Sequence, residues 1–412
     1  MTSAYYQDSL RTDFVRQYNA RIYLDHAAAT PVDSAVQAAM APYIHEQWHN
    51  PSARYEAARS TRRAVEAARA DIAHVLAAKP TEIIFTASAT ESANLAVQGV
   101  LRAAAPGAHW ITTAIEHEAV LAQVPPLERQ GYPATVVPVS MAGIVSVRDI
   151  MAAVTDGTVL VSMMLANNEI GTLQPVAEVA RAVAAVRLER LARGVGRPLY
   201  VHTDATQAGN YVSLQVSRLG VDMLALNAAK LYGPKGIGLL YVRHGTKLEP
   251  LFYGGGQERG RRSGTEPVAG CVGLAAALVA AASRRDSESH RLTGLRDEAI
   301  EALLAAVPGA RLNGDPQRRL PNNISLTLPG ADGEALVLYL DNAGFETATG
   351  SACAASQTEP SHVLLAIGRS RSEAAQSLRL TLGRSTDEDA LAALVRTLPG
   401  IVERVRALPS VA

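Results

Sequence analysis

Between about Ile83 and Val242 the chain alternates short β-branched apolar runs with alanine-rich stretches of helical periodicity; the runs are EIIF, HWITT, TVLVSMML, PLYVHT, VDMLAL and GIGLLYV. Strands this continuously apolar are covered on both faces, which is the pattern of an α/β domain with a mostly parallel sheet. From Pro175 to Leu191 apolar residues recur three and four positions apart with Arg and Glu on the other face, so this stretch packs on the sheet as a helix. After YGGGQERGRRSGTEP (Tyr253 to Pro267) the pattern changes to an Arg- and Ala-rich helix, then NNISLTL, then another helix. That change predicts a second, smaller α+β domain. We place the large domain at residues 33–284 and assign 1–32 and 285–412 to the small one.

Composition removes several function classes. A chain of 412 residues is long enough for about two or three domains. With 48% hydrophobic and 19% charged residues it has the make-up of a folded globular protein. Lys+Arg and Asp+Glu both number 39, so net charge gives no whole-chain grip on nucleic acid or an anionic membrane. GGGQERGRRSG is an Arg/Gly segment, but it lacks the interleaved aromatics that stack on bases. The amino terminus lacks the order of a secretory signal. The run nearest to a membrane span, CVGLAAALVAAA from Cys271, is too short and Ala-rich and reads as a buried helix. Cys271 and Cys353, 82 positions apart, make neither a disulfide framework nor a CxxC metal site and fit a reducing compartment. We therefore expect a cytoplasmic protein without a metal site.

In open α/β sheets ligands bind beyond the carboxyl ends of the strands, so the residues following each run are the informative ones. EIIF is followed by TASATES, HWITT by AIEHEA, VSMML by ANNEIG, PLYVHT by DATQAG and VDMLAL by NAAKLYG. These ends offer Thr90, His117, Asn168, Asp204 with Gln207, and Lys230. Ser88 and Glu91 have the spacing of a capping box, which alone would make TASATES a helix start. The same start can hold a phosphate on its N–H groups and dipole. His117 alone reads equally as a loop histidine, and Asp204 as a cap on the next turn. Lys230, ending an apolar strand, must reach solvent or be held by a ligand. Together, a lysine, an aspartate, an aromatic ring and a phosphate-binding helix start are what pyridoxal phosphate needs: a Schiff base, a partner for the ring nitrogen and an anion site.

Eight segments, LDHAAATPVD, IFTASATESANLAVQG, IEHEAV, ANNEIGTLQP, HTDATQAG, KLYGPKGIGLLYVR, GGGQERGRRSGT and GSACAAS, resemble in order and spacing the cysteine desulfurases of the iron–sulfur-cluster and nitrogen-fixation type. Those are class V aminotransferase relatives among the fold type I pyridoxal-phosphate enzymes. The resemblance runs from about Ile22 to Arg384 and implies a large domain with a mostly parallel, seven-stranded sheet beside a small α+β domain carrying a cysteine loop. It implies Lys230 as the Schiff-base lysine, Asp204 as the pyridinium partner, Gln207 at the ring hydroxyl and His117 stacked on the ring. Ala89 and Thr90 match the phosphate-binding turn, and Asn168 a residue beside cofactor and substrate. Arg379 matches the arginine that holds the substrate carboxylate, a task suited to its bidentate fork. Asn50 matches another substrate-side residue. Thr265 matches a threonine that reaches the neighbouring subunit's phosphate, which implies a homodimer with shared active sites.

Cys353, in GSACAAS, matches the nucleophilic cysteine; by composition it would equally be a small buried thiol, but its small, polar flanks suit a loop that carries a thiol to a substrate. Cys271, inside an apolar run, reads as packing. The resemblance implies that L-cysteine becomes L-alanine while its sulfur passes to Cys353 as a persulfide, with His117 a proton donor or acceptor. The sulfur would go on to an acceptor protein, such as an iron–sulfur scaffold, or into a thio-modification pathway.

Three departures accompany the match. The family usually has Ser-Gly-His before the lysine; here stand Asn227, Ala228 and Ala229. Asn227 keeps a donor for the cofactor phosphate and Ala229 does not. Glu56 stands where relatives often carry histidine, and about 17 residues precede the usual family start. Two alternatives stay open at this stage: a related lyase or transaminase of the same fold, which would need no thiol, and a scaffold with impaired catalysis.

Overall fold

The structure, a computed structural model, describes residues 21–104, 106–350 and 360–408. Its strands are β1 (Ile22–Tyr23), β2 (Ile83–Thr86), β3 (His109–Thr113), β4 (Ala134–Val137), β5 (Thr158–Met164), β6 (Tyr200–Asp204), β7 (Met223–Asn227), β8 (Gly238–Val242), β9 (Arg311–Leu312), β10 (Asn323–Thr327), β11 (Phe345–Glu346) and β12 (Ser377–Thr381). Seven of them form one sheet in the order β2-β8-β7-β6-β5-β3-β4. The five from β4 to β7 run parallel, and β8 is antiparallel to both its neighbours, β7 and β2. The reason for that reversal is length: residues 228–237 between β7 and β8 are too few for a crossover helix.

The longer helices are α1 (Ser34–His45), α2 (Glu56–Leu76), α3 (Ala89–Ala103), α4 (Val176–Ala192), α5 (Val268–Ala306), α6 (Gly333–Asn342) and α7 (Glu388–Arg406). Strand alternation sends successive side chains to opposite faces of the sheet. Ile84, Leu160 and Leu240 face α3 in one apolar cluster, while Phe85, Val161 and Leu239 join α2, α4 and the first part of α5 in another. Both faces are thus covered, as the continuous apolar runs require.

A second core lies over the three-stranded sheet β12-β10-β9, where Ile324, Leu326, Leu378 and Leu380 pack against α6, α7 and the later turns of α5. β1 pairs with β11 beside it, which ties the start of the described chain to this smaller part. α5 is one helix of 39 residues, about 58 Å long at 1.5 Å per residue. Cys271 to Ala281 belong to the first core and Leu292 to Leu303 to the second, and no residue from 282 to 291 is buried. Position 285 lies in that middle stretch. By length and composition α5 could also cross a membrane, yet its apolar residues fill these two cores. Burial pushes the Cys271 thiol well up, so it is a neutral packing group.

Candidate active site

Five strand ends of the large sheet open onto one cavity of about 220 Å³. The turn after β2 and the start of α3 supply Ala89 and Thr90, the end of β3 leads to His117, and that of β5 to Asn168. β6 ends in Asp204, with Gln207 in the turn beyond, and β7 in Asn227, followed by Lys230. Arg379 reaches the same cavity from β12 of the smaller sheet. Nine residues singled out from the sequence therefore line one space.

At its deep end the polar atoms are positioned by backbone. Asp204 is buried, and its Oδ1 accepts from the Thr206 N–H at 2.9 Å, so the aspartate does cap the following turn. Asn227 Oδ1 accepts from Ala229 N–H at 3.2 Å, which folds the short 3₁₀ turn holding Lys230. Lys230 Nζ donates to the Ala28 carbonyl, and Gln207 Nε2 donates to the Ala27 carbonyl at 3.0 Å. The LDHAAAT segment is thereby drawn into the cavity wall. His117 Nδ1 accepts from the Ala119 N–H at 3.0 Å, so the neutral ring carries its proton on Nε2.

The capping-box spacing at α3 is used, with a shift. Ser88 Oγ accepts from Glu91 N–H at 3.2 Å, while Glu91 accepts from Ala87 N–H at 2.7 Å and pairs with Arg262 at 2.9 Å. The next amides of that first turn belong to Ala89 and Thr90, which line the cavity where a helix N-terminus favours an anion.

Two buried titratable groups stand behind Asp204. Glu116 Oε1 accepts from Thr113 Oγ1 at 2.6 Å and from Met164 N–H at 2.9 Å, while Oε2 has no partner among the described residues. Burial, with Asp204's charge adding to it, pushes its carboxyl up to about 8. His202 shares a hydrogen bond with Ser162 Oγ at 2.9 Å through Nδ1, and burial lowers its ring to about 4. Both are uncharged near neutral pH.

The other end of the cavity is assembled from distant segments. Arg379 is almost fully buried; Nη2 donates to Asp25 Oδ1 at 2.8 Å, Nη1 to the Asn168 carbonyl at 3.2 Å, and Nε has no partner among the described residues. Asp25, which sequence reading left without a role, lies in the quoted LDHAAATPVD segment. Thr206 was also missed: it lines the cavity, and its Oγ1 is buried without a partner. Its place between Asp204 and Gln207 is the signal that could have found it.

The donor set fits pyridoxal phosphate. A lysine amine, a buried carboxylate, an imidazole and the N-terminus of a fifteen-residue helix converge, and Thr206 Oγ1 is an unmet polar atom in the same wall. Other expected residues lie elsewhere. Asn50 is exposed and accepts from Ser52 N–H at 2.9 Å, and Thr265 is exposed away from this chain's own cavity. Ala229 does not line the cavity, and Glu56 pairs at the surface with Arg59 and Arg63. Cys353 lies outside the described residues.

Residues 22–394 match the family model described as Aminotransferase class-V. The cysteine desulfurase IscS of Dictyoglomus turgidum is 43% identical over 388 residues, which are 94% of this chain and 96% of that protein. The protein of the same name from Methanosarcina thermophila is 42% identical over 389 residues, 94% of this chain and 93% of its own length. Among solved structures, a NifS-like protein superposes with a TM-score of 0.84 at 32% identity, covering 93% of this chain and all of the other. SspA in complex with cysteine superposes with a TM-score of 0.76 at 34% identity, covering 88% of this chain and 98% of the other.

Proposed function

Since the chain belongs to the class-V aminotransferase family and, within it, resembles the cysteine desulfurases throughout, we propose that its strand-end cavity converts L-cysteine to L-alanine with pyridoxal phosphate and hands the sulfur to Cys353. The observation that carries this reading is that Lys230, Asp204, His117 and Arg379, drawn from four separated motifs, line one cavity at the carboxyl ends of the strands. When bound there, pyridoxal phosphate supplies an electron sink for the α-carbon of an amino acid.

The chain's own residues do the rest. The start of α3 with Thr90 and Asn227 would hold the phosphate, Asp204 would keep a proton on the ring nitrogen, and Gln207 would meet the ring hydroxyl. Lys230 would hold the cofactor through its amine, and the same amine is placed to take a proton from the substrate's α-carbon. Arg379 receives the substrate carboxylate, with Asn168 beside it; Asn50, exposed outside this cavity, has no part in it within one chain. His117 presents a proton on Nε2 to the cavity. L-cysteine and the Cys353 thiol become L-alanine and a Cys353 persulfide: an S–S bond forms as the substrate's C–S bond breaks, and no outside oxidant is needed.

We read residues 33–284 as the cofactor-binding part and 1–32 with 285–412 as the part that brings Arg379. The working form is a homodimer. Thr265 can serve a cofactor phosphate there only in a second copy, and the exposed Trp48, Phe252 and Tyr253 supply apolar surface for that contact. The persulfide passes to a protein acceptor in iron–sulfur assembly or thio-modification. An assay of L-alanine and sulfide from L-cysteine on wild type, Lys230→Ala and Cys353→Ala tests this. Both variants should lose sulfide release, and alanine release undiminished in Cys353→Ala would sink the persulfide route.

A further inference from the structure

Asn168 is followed by Glu169, a carboxylate that is 2% exposed and lies beside the ends of the segment carrying Cys353. Ser361 Oγ, at the later end, donates to Glu169 Oε2 while accepting from Leu364 N–H at 3.2 Å. The hydroxyl therefore has both its donor and an acceptor role assigned, with its hydrogen on the glutamate. At the earlier end Gly350 packs so closely that a Cβ there would come within 2.7 Å of the same Oε2 and 3.3 Å of Ser361 Cβ. The two ends of a ten-residue span, 351–360, thus close on one oxygen.

The earlier end is also tied to a cavity residue, and the later end to the two neighbours of one. Ala348 and Arg379 exchange backbone hydrogen bonds of 3.2 and 2.7 Å, so the earlier end is fastened to the strand of the cavity arginine. His362, next to Ser361, donates from Nε2 to the Glu116 carbonyl at 2.9 Å and places Nδ1 3.4 Å from Glu118 Oε1, one residue to either side of His117. Glu169 itself is held by its N–H on Asn167 Oδ1 at 2.8 Å and by its carbonyl accepting from Asn323 Nδ2 at 3.1 Å. A carboxylate fixed at both backbone atoms is a firm post.

We infer that Glu169 is a positioning residue for Cys353: by accepting from Ser361 against Gly350 it holds together the two described ends of the segment that carries this thiol, beside Asn168. This rests on the reading of Cys353 as sulfur acceptor. Misplacing a reacting group by about 1 Å can cost about 100-fold in rate. Glu169→Ala and Ser361→Ala, and Gly350→Ala through its intruding Cβ, are each expected to slow single-turnover persulfide formation on Cys353 by about 10- to 100-fold. KM for L-cysteine and the cofactor's absorbance should stay at wild-type values. Glu169→Gln should keep most of the rate, because its amide oxygen still accepts from Ser361.

The second measurement needs no turnover: the rate at which iodoacetamide alkylates Cys353 in the cofactor-loaded protein. It should depart from wild type in Glu169→Ala and Ser361→Ala and return in Glu169→Gln. Persulfide formation and alkylation both at wild-type rates in the alanine variants would overturn the inference, as would a loss of cofactor binding that matched the loss of rate. If alkylation shifts as expected while wild-type Cys353 acquires no persulfide, the clasp stands and the desulfurase reading fails.

Discussion

Arg69 and Arg379 are both 2% exposed and both reach a carboxylate at 2.8 Å, yet they are built to opposite ends. Arg69, on α2, places Nη1 and Nη2 on the two oxygens of Glu258, gives Nη1 also to the Ile83 carbonyl and turns Nε to Glu66 at 3.3 Å. Glu258 in turn accepts from Phe85 N–H at 3.0 Å, and the pair pins a loop whose Glu258 and Arg259 have φ of 49° and 59°. Arg379 meets one oxygen of Asp25 and one carbonyl and leaves Nε unmet. The first region is closed by the fold; the second keeps donors in hand for an incoming anion. Between these two arginines the difference lies in the unmet Nε rather than in burial; Arg319, also buried, leaves Nε and Nη1 unmet without lining this cavity, so an unmet donor marks a site only where a cavity meets it.

The largest effect should come from opening the closed pair. Arg69→Met strands Glu258 as a lone buried charge and should cost about 3–5 kcal/mol in chemical denaturation. A loss under 1 kcal/mol would mean that the pair is no tighter than a surface bridge. Arg379→Lys keeps the charge and removes the fork, so kcat/KM for L-cysteine should drop about 100-fold, or about 2.7 kcal/mol. Its cofactor spectrum should be unchanged; unfolding instead would erase the contrast between the two arginines.

The same contrast exists among carboxyls, since Glu116 is as buried as Glu258 but has no cation on its open oxygen. With its carboxyl pushed up from 4.5 to about 8, the folded chain keeps a proton that the unfolded chain releases. Stability from this group is complete below pH 4.5, declines as pH rises to about 8 and is level above it, by at most about 1.4 kcal/mol per pH unit. Glu116→Gln should remove that slope, seen as melting temperatures that diverge from wild type across this window and run parallel above it. The smallest effect is expected from Ala229→His, which tests whether an imidazole at this buried position, outside the cavity lining as alanine, supplies a donor to the phosphate. Pyridoxal phosphate should bind about fivefold more tightly in an absorbance titration, close to 1 kcal/mol for one hydrogen bond. An unchanged Kd would show that Asn227 and the start of α3 already suffice.

What was legible in the sequence follows this division. The strand ends were readable because each depends on local order: an apolar run, a turn, then a polar side chain whose direction the strand dictates. Thr90, His117, Asp204 and Lys230 met for that reason. The Asp25–Arg379 contact joins residues 354 positions apart, and no local pattern predicts such a pair. Thr206 was hidden between two stronger signals. The reversal of β8 and the unbroken course of α5 past position 285 were also illegible: the change of pattern after residue 267 pointed to a second domain near there, while a helix can carry Arg284, Arg285 and Asp286 through without interruption.

α5 ties the folding of the two cores together. Helix growth is limited by its first turn, so once either core has formed its share of α5, the other receives a helix it need not nucleate. The turns from 282 to 291, none of whose residues is buried, are then where the two can come apart, with backbone amides exchanging with solvent sooner than those on either side. Ten residues that touch no ligand would decide whether the molecule melts in one transition or in two.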